Sequence, residues 1–231
     1  MKVLFVGNSH TFFNDMPELF ARFAEKTTGE KPEVVMLAYS GRDYLWHRKE
    51  YFAVRFNLMY GGFDYCILQQ AAHPYPPFEE TYEYGKMLID LCKKCGVTPV
   101  IYMTWAEKRF PENQKKMIDT CKKLAKQNDA LLAPVGEVWQ KVQRKHPDIE
   151  LYFRDGEHAG PYGDFLVASV LCQLLTGDIS DEVIGQGFDF RQDCAFNFEL
   201  PEIIEDRERV PVQLDKDKTS RILDAVREIM L

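Results

Sequence analysis

No stretch of the sequence approaches the ~20 consecutive apolar residues that a membrane-spanning helix needs. Positive charge is not in excess either. The net charge is −7, which removes the bulk attraction by which nucleic-acid partners are held. Short basic runs such as Lys122-Lys123 sit among acids on helix-like faces. No internal repeat or low-complexity segment occurs. There is no leader-like apolar segment: a strand-like run begins at residue 2 and ends at Gly7, so the chain is expected to be cytoplasmic unless a signal was removed. Metal-ligand spacing is also missing. Of six Cys, Cys92 and Cys95 form a lone Cys-x-x-Cys late in a helical stretch, with no second Cys/His pair to complete a site. A redox pair would sit at a helix start. Cys66 and Cys172 lie in apolar runs and are expected in the core. Neither a metal nor a cofactor is expected.

The 231 residues fit one domain, or one domain with an appendage. Up to about Thr176, short apolar runs alternate with helical periodicity. The strand-like runs are Lys2–Val6, Glu33–Ala38, Asp64–Leu68, Thr98–Met103 and Ala130–Val135. Helical spacing covers Met16–Thr28, Thr81–Cys95, Asn113–Gln127, Glu137–Lys145 and Phe165–Leu175. Near-continuous apolar strands separated by helices predict a parallel sheet covered on both faces. Tyr44–Gly62 is rich in aromatic residues and reads as a helix, packed in the core or forming a wall for a sugar or acyl group. From Asp178 to Val212 the periodicity is weak, and Lys218–Met230 resumes helical spacing. Residues 178–231 are therefore expected to be an extension of a 1–177 domain. Its terminal helix is expected to pack on that domain, with a dimer-forming role as the alternative.

Three groups of residues carry chemistry. Gly7-Asn8-Ser9-His10-Thr11 joins the first strand to a helix and puts a hydroxyl at the carboxyl edge of the sheet, where ligands bind in such folds. Asn, Ser and Thr also serve there as turn and cap residues. Asp155-Gly156-Glu157-His158 forms a loop with an acid and a His three positions apart. A Ser hydroxyl needs a base to take its proton, His titrates near neutrality, and a carboxylate fixes the imidazole tautomer. Gly41 after the second strand lets a backbone N–H approach a ligand. Gln69, Gln70 and His73 follow the third strand and offer side-chain donors for an oxyanion.

These residues together resemble the SGNH (GDSL-type) hydrolase superfamily over about Lys2 to Gly177. Gly7-Asn8-Ser9-His10-Thr11 is similar to its first block, with Asn8 where Asp is usual. Gly41 matches the second block, and Asp155-x-x-His158 the last. The third block departs from Gly-x-Asn-Asp. Leu68-Gln69 begins it as in a branch whose first block reads Gly-Asn-Ser, and ungapped counting from Asp64 puts His73 at the Asn position. The resemblance implies a flavodoxin-like three-layer α/β/α sandwich with five parallel strands in the order 2-1-3-4-5. It implies ester hydrolysis without metal or cofactor: Ser9 as nucleophile, His158 as base and Asp155 as its orienting acid. The oxyanion would be held by the N–H groups of Ser9 and Gly41 and by Gln69, with Gln70 and His73 as alternatives. The expected partner is a small ester, first of all an O-acetylated sugar, with no nucleic acid and no membrane. Acyl-thioesterase or lipase chemistry and a catalytically degenerate ligand binder are the alternatives; a phosphate binder is a weaker third option.

Overall fold

A computed structural model of the chain describes residues 1–186, 188–190 and 210–230. Five strands form one parallel sheet: β1 (Lys2–Gly7), β2 (Glu33–Ala38), β3 (Tyr65–Gln69), β4 (Thr98–Tyr102) and β5 (Leu131–Ala133), in the order β2-β1-β3-β4-β5. This is the order expected from the resemblance. The helices are α1 (Ser9–Phe12), α2 (Met16–Thr28), α3 (Tyr44–Lys49), α4 (Tyr51–Tyr60), α5 (Phe78–Lys94), α6 (Asn113–Gln127), α7 (Val135–Lys145), α8 (Pro161–Thr176) and α9 (Lys216–Met230).

The alternation of side chains along each strand divides the core in two. Val3, Phe5, Ile67, Val100 and Tyr102 point to one face and pack with α2, α7, α8 and α9 through residues such as Phe20, Trp139, Phe165 and Ile222. Leu4, Val6, Cys66, Leu68 and Ile101 point to the other and meet Tyr44, Leu58, Leu88 and Leu124 of α3 to α6. Burying a side chain such as Phe20 fully is worth about 1.5–3 kcal/mol. That explains the amphipathic spacing of the helices on both faces and the near-continuous apolar strands between them. α8 is apolar nearly all round because α2, α7 and α9 cover it.

The register lines up the strand ends. Gly7 pairs with Ala38, Gln69 with Tyr102, and Tyr102 with Ala133. The loops that follow β1, β2, β3 and β4 therefore leave from a common edge.

The Tyr44–Gly62 segment differs from a single core helix. It breaks at Glu50 into α3 and α4. Tyr44 is buried, but Phe52 and Tyr60 are 72% and 73% exposed, and Tyr51 and Phe56 are also exposed. Only Val54 and Leu58 of α4 reach the core. Cys66 and Cys172 are buried, as expected of core residues. Beyond Thr176 a short antiparallel ribbon pairs β6 (Phe188–Phe190) with β7 (Val210–Val212). The rest of the weakly periodic stretch, residues 187 and 191–209, lies outside the described residues. α9 closes the chain against α7 and α8, with Glu228 bridging Lys141 and Lys145, and Arg221 bonded to Asp148 at 2.8 Å. Among the described residues no helix is long and apolar enough to cross a membrane.

Candidate functional site

Strand β1 ends at Gly7, a position with no room for a side chain. An added Cβ would lie 2.5 Å from both the Gln69 Oε1 and the Thr11 Oγ1. The Gly7 carbonyl is held by the His47 ring at 2.8 Å. Asn8 then caps α1, its Oδ1 accepting from the His10 N–H at 3.0 Å. Its amide nitrogen donates to the Arg42 carbonyl at 2.9 Å. One side chain thus ties the Ser9 turn to the loop that carries Gly41, which has φ +67 and open space around it. Neither the Ser9 N–H nor the Gly41 N–H has an acceptor in the described hydrogen-bond network.

Ser9 and His158 are 149 positions apart in sequence, yet the Ser9 Oγ lies 2.8 Å from the His158 Nε2. The His158 Nδ1 is in turn 2.8 Å from the Asp155 Oδ2. The other Asp155 oxygen accepts from the Glu157 and His158 N–H groups at 2.9 and 3.0 Å. Partial burial opposes ionisation of Asp155. The N–H groups of Glu157 and His158 and the His158 ring outweigh that and hold its carboxyl below the usual range. The His158 ring packs nearly parallel to Phe13, with centroids 4.5 Å apart, and to His10 at 4.8 Å. Chemically, this line can draw a proton from the Ser9 hydroxyl while a carboxylate balances the charge on the imidazole.

Several supports were not visible from sequence. Asn14, in the left-handed region at φ 52, donates to the Ala159 carbonyl at 3.0 Å, beside His158. It also bonds Asp164, which is fully buried, and burial pushes that carboxyl well above its ordinary range. Trp105, stacked 4.0 Å from Trp139, donates its indole N–H to the Glu157 carbonyl at 2.8 Å. The Asn14-Asp15 turn between two helical segments is only a faint signal in the sequence, and nothing marks Trp105 as a loop anchor.

The third-strand residues fall differently from expectation. Gln69 is fully buried. Its Oε1 accepts from the Asn8 N–H at 2.8 Å and the Thr11 hydroxyl at 3.0 Å, and its amide nitrogen donates to the Gln70 carbonyl. It braces the Ser9 turn from beneath. Gln70 is spent on the α3 side, accepting from the Tyr44 N–H at 2.9 Å and donating to Thr81 at 3.1 Å. His73 meets the buried Glu107 through Nδ1 at 3.2 Å, and its Nε2 is buried without a hydrogen-bond partner. Its ring lies 5.0 Å from His10. Burial lowers the His73 pKa to about 4, outweighing the attraction of Glu107. His10 is held well below its ordinary value by burial and by its His158 and His73 neighbours. Among the described residues no group of His, Cys, Asp or Glu is arranged to hold a metal.

No family model matches the chain. No curated protein matches its sequence either. Solved structures do. An inferred SGNH hydrolase from Slackia heliotrinireducens is 26% identical, with a TM-score of 0.65 over 76% of this chain and 98% of that one. An acetylxylan esterase from Geobacillus stearothermophilus is 12% identical, with a TM-score of 0.62 over 74% of this chain and 92% of that one. A lipase/acylhydrolase from Enterococcus faecalis is 14% identical, with a TM-score of 0.62 over 78% and 97%. The last two likenesses are of fold.

Proposed function

We infer that this chain, a member of the SGNH hydrolase superfamily, is a serine ester hydrolase acting on small acyl esters, foremost O-acetyl groups on carbohydrates. The observation that carries this reading is the unbroken line from Ser9 through His158 to Asp155, with both contacts at 2.8 Å. The acetylxylan esterase with the same fold is consistent with an acetylated sugar as substrate.

In this reading the Ser9 Oγ forms a bond to the acyl carbon as its proton passes to the His158 Nε2. The carbonyl oxygen, now negative, is held by the unpartnered N–H groups of Ser9 and Gly41. The bond to the alcohol oxygen then breaks, and the His158 proton goes to that leaving alkoxide. A water repeats the sequence, giving its proton to His158 and its oxygen to the acyl carbon. The Ser9 Oγ leaves with the proton and the carboxylic acid departs. Asp155 keeps one His158 proton on Nδ1, so that Nε2 faces Ser9 as an acceptor.

We assign no side-chain donor of the third strand to the oxyanion hole. Gln69 and Gln70 are committed to the scaffold. His73 is neutral with its proton directed at Glu107, so its Nε2 carries a lone pair rather than an N–H. Residues 1–177 contain every group named here. We take the remainder as an extension whose α9 supports α7 and α8.

The test is hydrolysis of p-nitrophenyl acetate and its sensitivity to a serine-directed phosphonate. Turnover that is lost on labelling supports the reading. A folded protein that binds acetylated sugars but turns none over favours the degenerate binder.

A further inference from the structure

The loops that bring Gly41 and the Asp155–His158 pair to the site each carry an arginine next to a site residue: Arg42 follows Gly41, and Arg154 precedes Asp155. Both are exposed. Arg22, Arg109, Arg221 and Arg227 are each spent on a carboxylate. Arg42 and Arg154 pair with no acid among the described residues; each lies on an aromatic ring instead. The Arg42 guanidinium is 5.3 Å from the Trp46 ring centroid, and that of Arg154 is 5.2 Å from Phe153. Arg48, Arg55 and Arg144 also meet no acid among the described residues, but they sit on helices rather than on loops bearing a site residue.

These two rings are linked to the site. Tyr39, 46% exposed, packs on Trp46 with centroids 4.7 Å apart, at the end of β2. The Arg42 carbonyl receives the Asn8 amide at 2.9 Å, one residue from Ser9. Phe153 meets Phe13 edge-on at 5.5 Å, and Phe13 stacks on His158. In a chain of net charge −7, two guanidinium groups that meet no acid among the described residues, on the loops around one hydroxyl, oppose the overall field. A guanidinium over a ring is held in place, is weakly hydrated, and keeps its planar fork free for a carboxylate. Exposed Tyr39 on half-buried Trp46 offers the apolar face on which a sugar ring stacks.

We propose that Arg42, on the Tyr39–Trp46 platform, binds the carboxylate of an acidic sugar whose O-acetyl ester is presented to Ser9, with Arg154 adding a second positive group from the His158 loop. The proposal rests on the ester-hydrolase reading and names its substrate class as acetylated uronic acids.

The test compares kcat/KM for the monoacetylated methyl glycosides of glucuronic acid (carboxylate free), glucose and glucose 6-phosphate. Binding of the same three to Ser9→Ala, which cannot turn them over, is measured in parallel. The anion preference then stays readable even if no ester is hydrolysed. The glucuronate is expected to exceed the neutral glucoside by about tenfold, the lower range for a charge-assisted hydrogen bond. Arg42→Gln should collapse that ratio, Arg42→Lys should restore part of it, and Arg154→Gln should reduce it less. Arg144→Gln, the same charge change on α7, should leave the ratio unchanged. Equal treatment of the three sugars overturns the proposal. So does an Arg144→Gln effect as large as that of Arg42→Gln, which would mark bulk charge. A preference for the 6-phosphate alone overturns the carboxylate assignment.

Discussion

Two carboxylate–histidine pairs stand near Ser9, and they are built for different work. In Asp155–His158 the carboxylate is fixed by two backbone N–H groups, and the far ring nitrogen reaches the Ser9 hydroxyl at 2.8 Å. In Glu107–His73 the carboxylate is buried and shared with Arg109, and the far ring nitrogen has no hydrogen-bond partner. In both, a carboxylate oxygen meets a histidine Nδ1, at 2.8 and 3.2 Å. What separates them is what lies beyond Nε2 and how far the carboxylate is exposed, Asp155 more than Glu107. A base must be able to carry charge during the reaction, and the burial that drives the His73 pKa to about 4 denies it that role. An acid beside a histidine therefore identifies a working base only when a nucleophile completes the line.

The comparison yields a ranked set of expectations. Ser9→Ala and His158→Ala should each lower kcat by at least about 10⁴-fold with the fold retained, read by ester hydrolysis together with circular dichroism. Asp155→Asn should cost roughly 10³–10⁴ in kcat, while Glu107→Gln should cost well under the roughly 10²–10³ of a lost oxyanion donor. If the two carboxylate variants lose activity equally, the distinction between the pairs collapses. Gln69→Ala should appear chiefly as lost stability. Two buried groups, the Asn8 N–H and the Thr11 hydroxyl, lose their acceptor, at about 2–4 kcal/mol together. Denaturant unfolding reads this directly. A stable Gln69→Ala protein whose kcat falls by about 10²-fold or more would return Gln69 to the oxyanion hole.

The smallest effect is in pH. His73 titrates near 6.5 in an unfolded chain and at about 4 in the folded one. Between those values the unfolded chain binds a proton that the folded chain refuses. Stability is therefore full above about 6.5 and falls on acidification toward 4. His10, held well below its ordinary value, acts in the same direction. His73→Asn should flatten part of this slope. A melting curve series for the variant that follows wild type through the window would show that His73 is not held neutral.

Much of this was legible in the sequence because it rests on local patterns. The bounds of α2, β2 and α6 follow from hydrophobic period alone. So does the placing of Ser9 at the strand-to-helix turn and of His158 on a loop, and the geometry then brings them together across 149 positions. The role of the glutamines was not legible. Gln69 and Gln70 stand side by side at a strand end, and only the tertiary partners, Asn8 and Thr11 for one and Tyr44 and Thr81 for the other, reveal that both are scaffold. The aromatic run of α4 misled for a related reason. Periodicity reports that a helix has an apolar stripe, not that the sheet has room to cover it, and Val54 and Leu58 already fill the available contact. Glu107 carries no pattern and Asn14 only the faint mark of a turn, since each acts through a partner distant in sequence.

The central claim is that Ser9 is the nucleophile, activated by His158. It is tested most directly by labelling the protein with a serine-directed phosphonate and locating the adduct by mass spectrometry, in wild type and in Ser9→Ala. The account predicts one adduct per chain, on Ser9, formed as activity disappears and absent from the variant. An adduct on another residue, or a fully active Ser9→Ala protein, would contradict it.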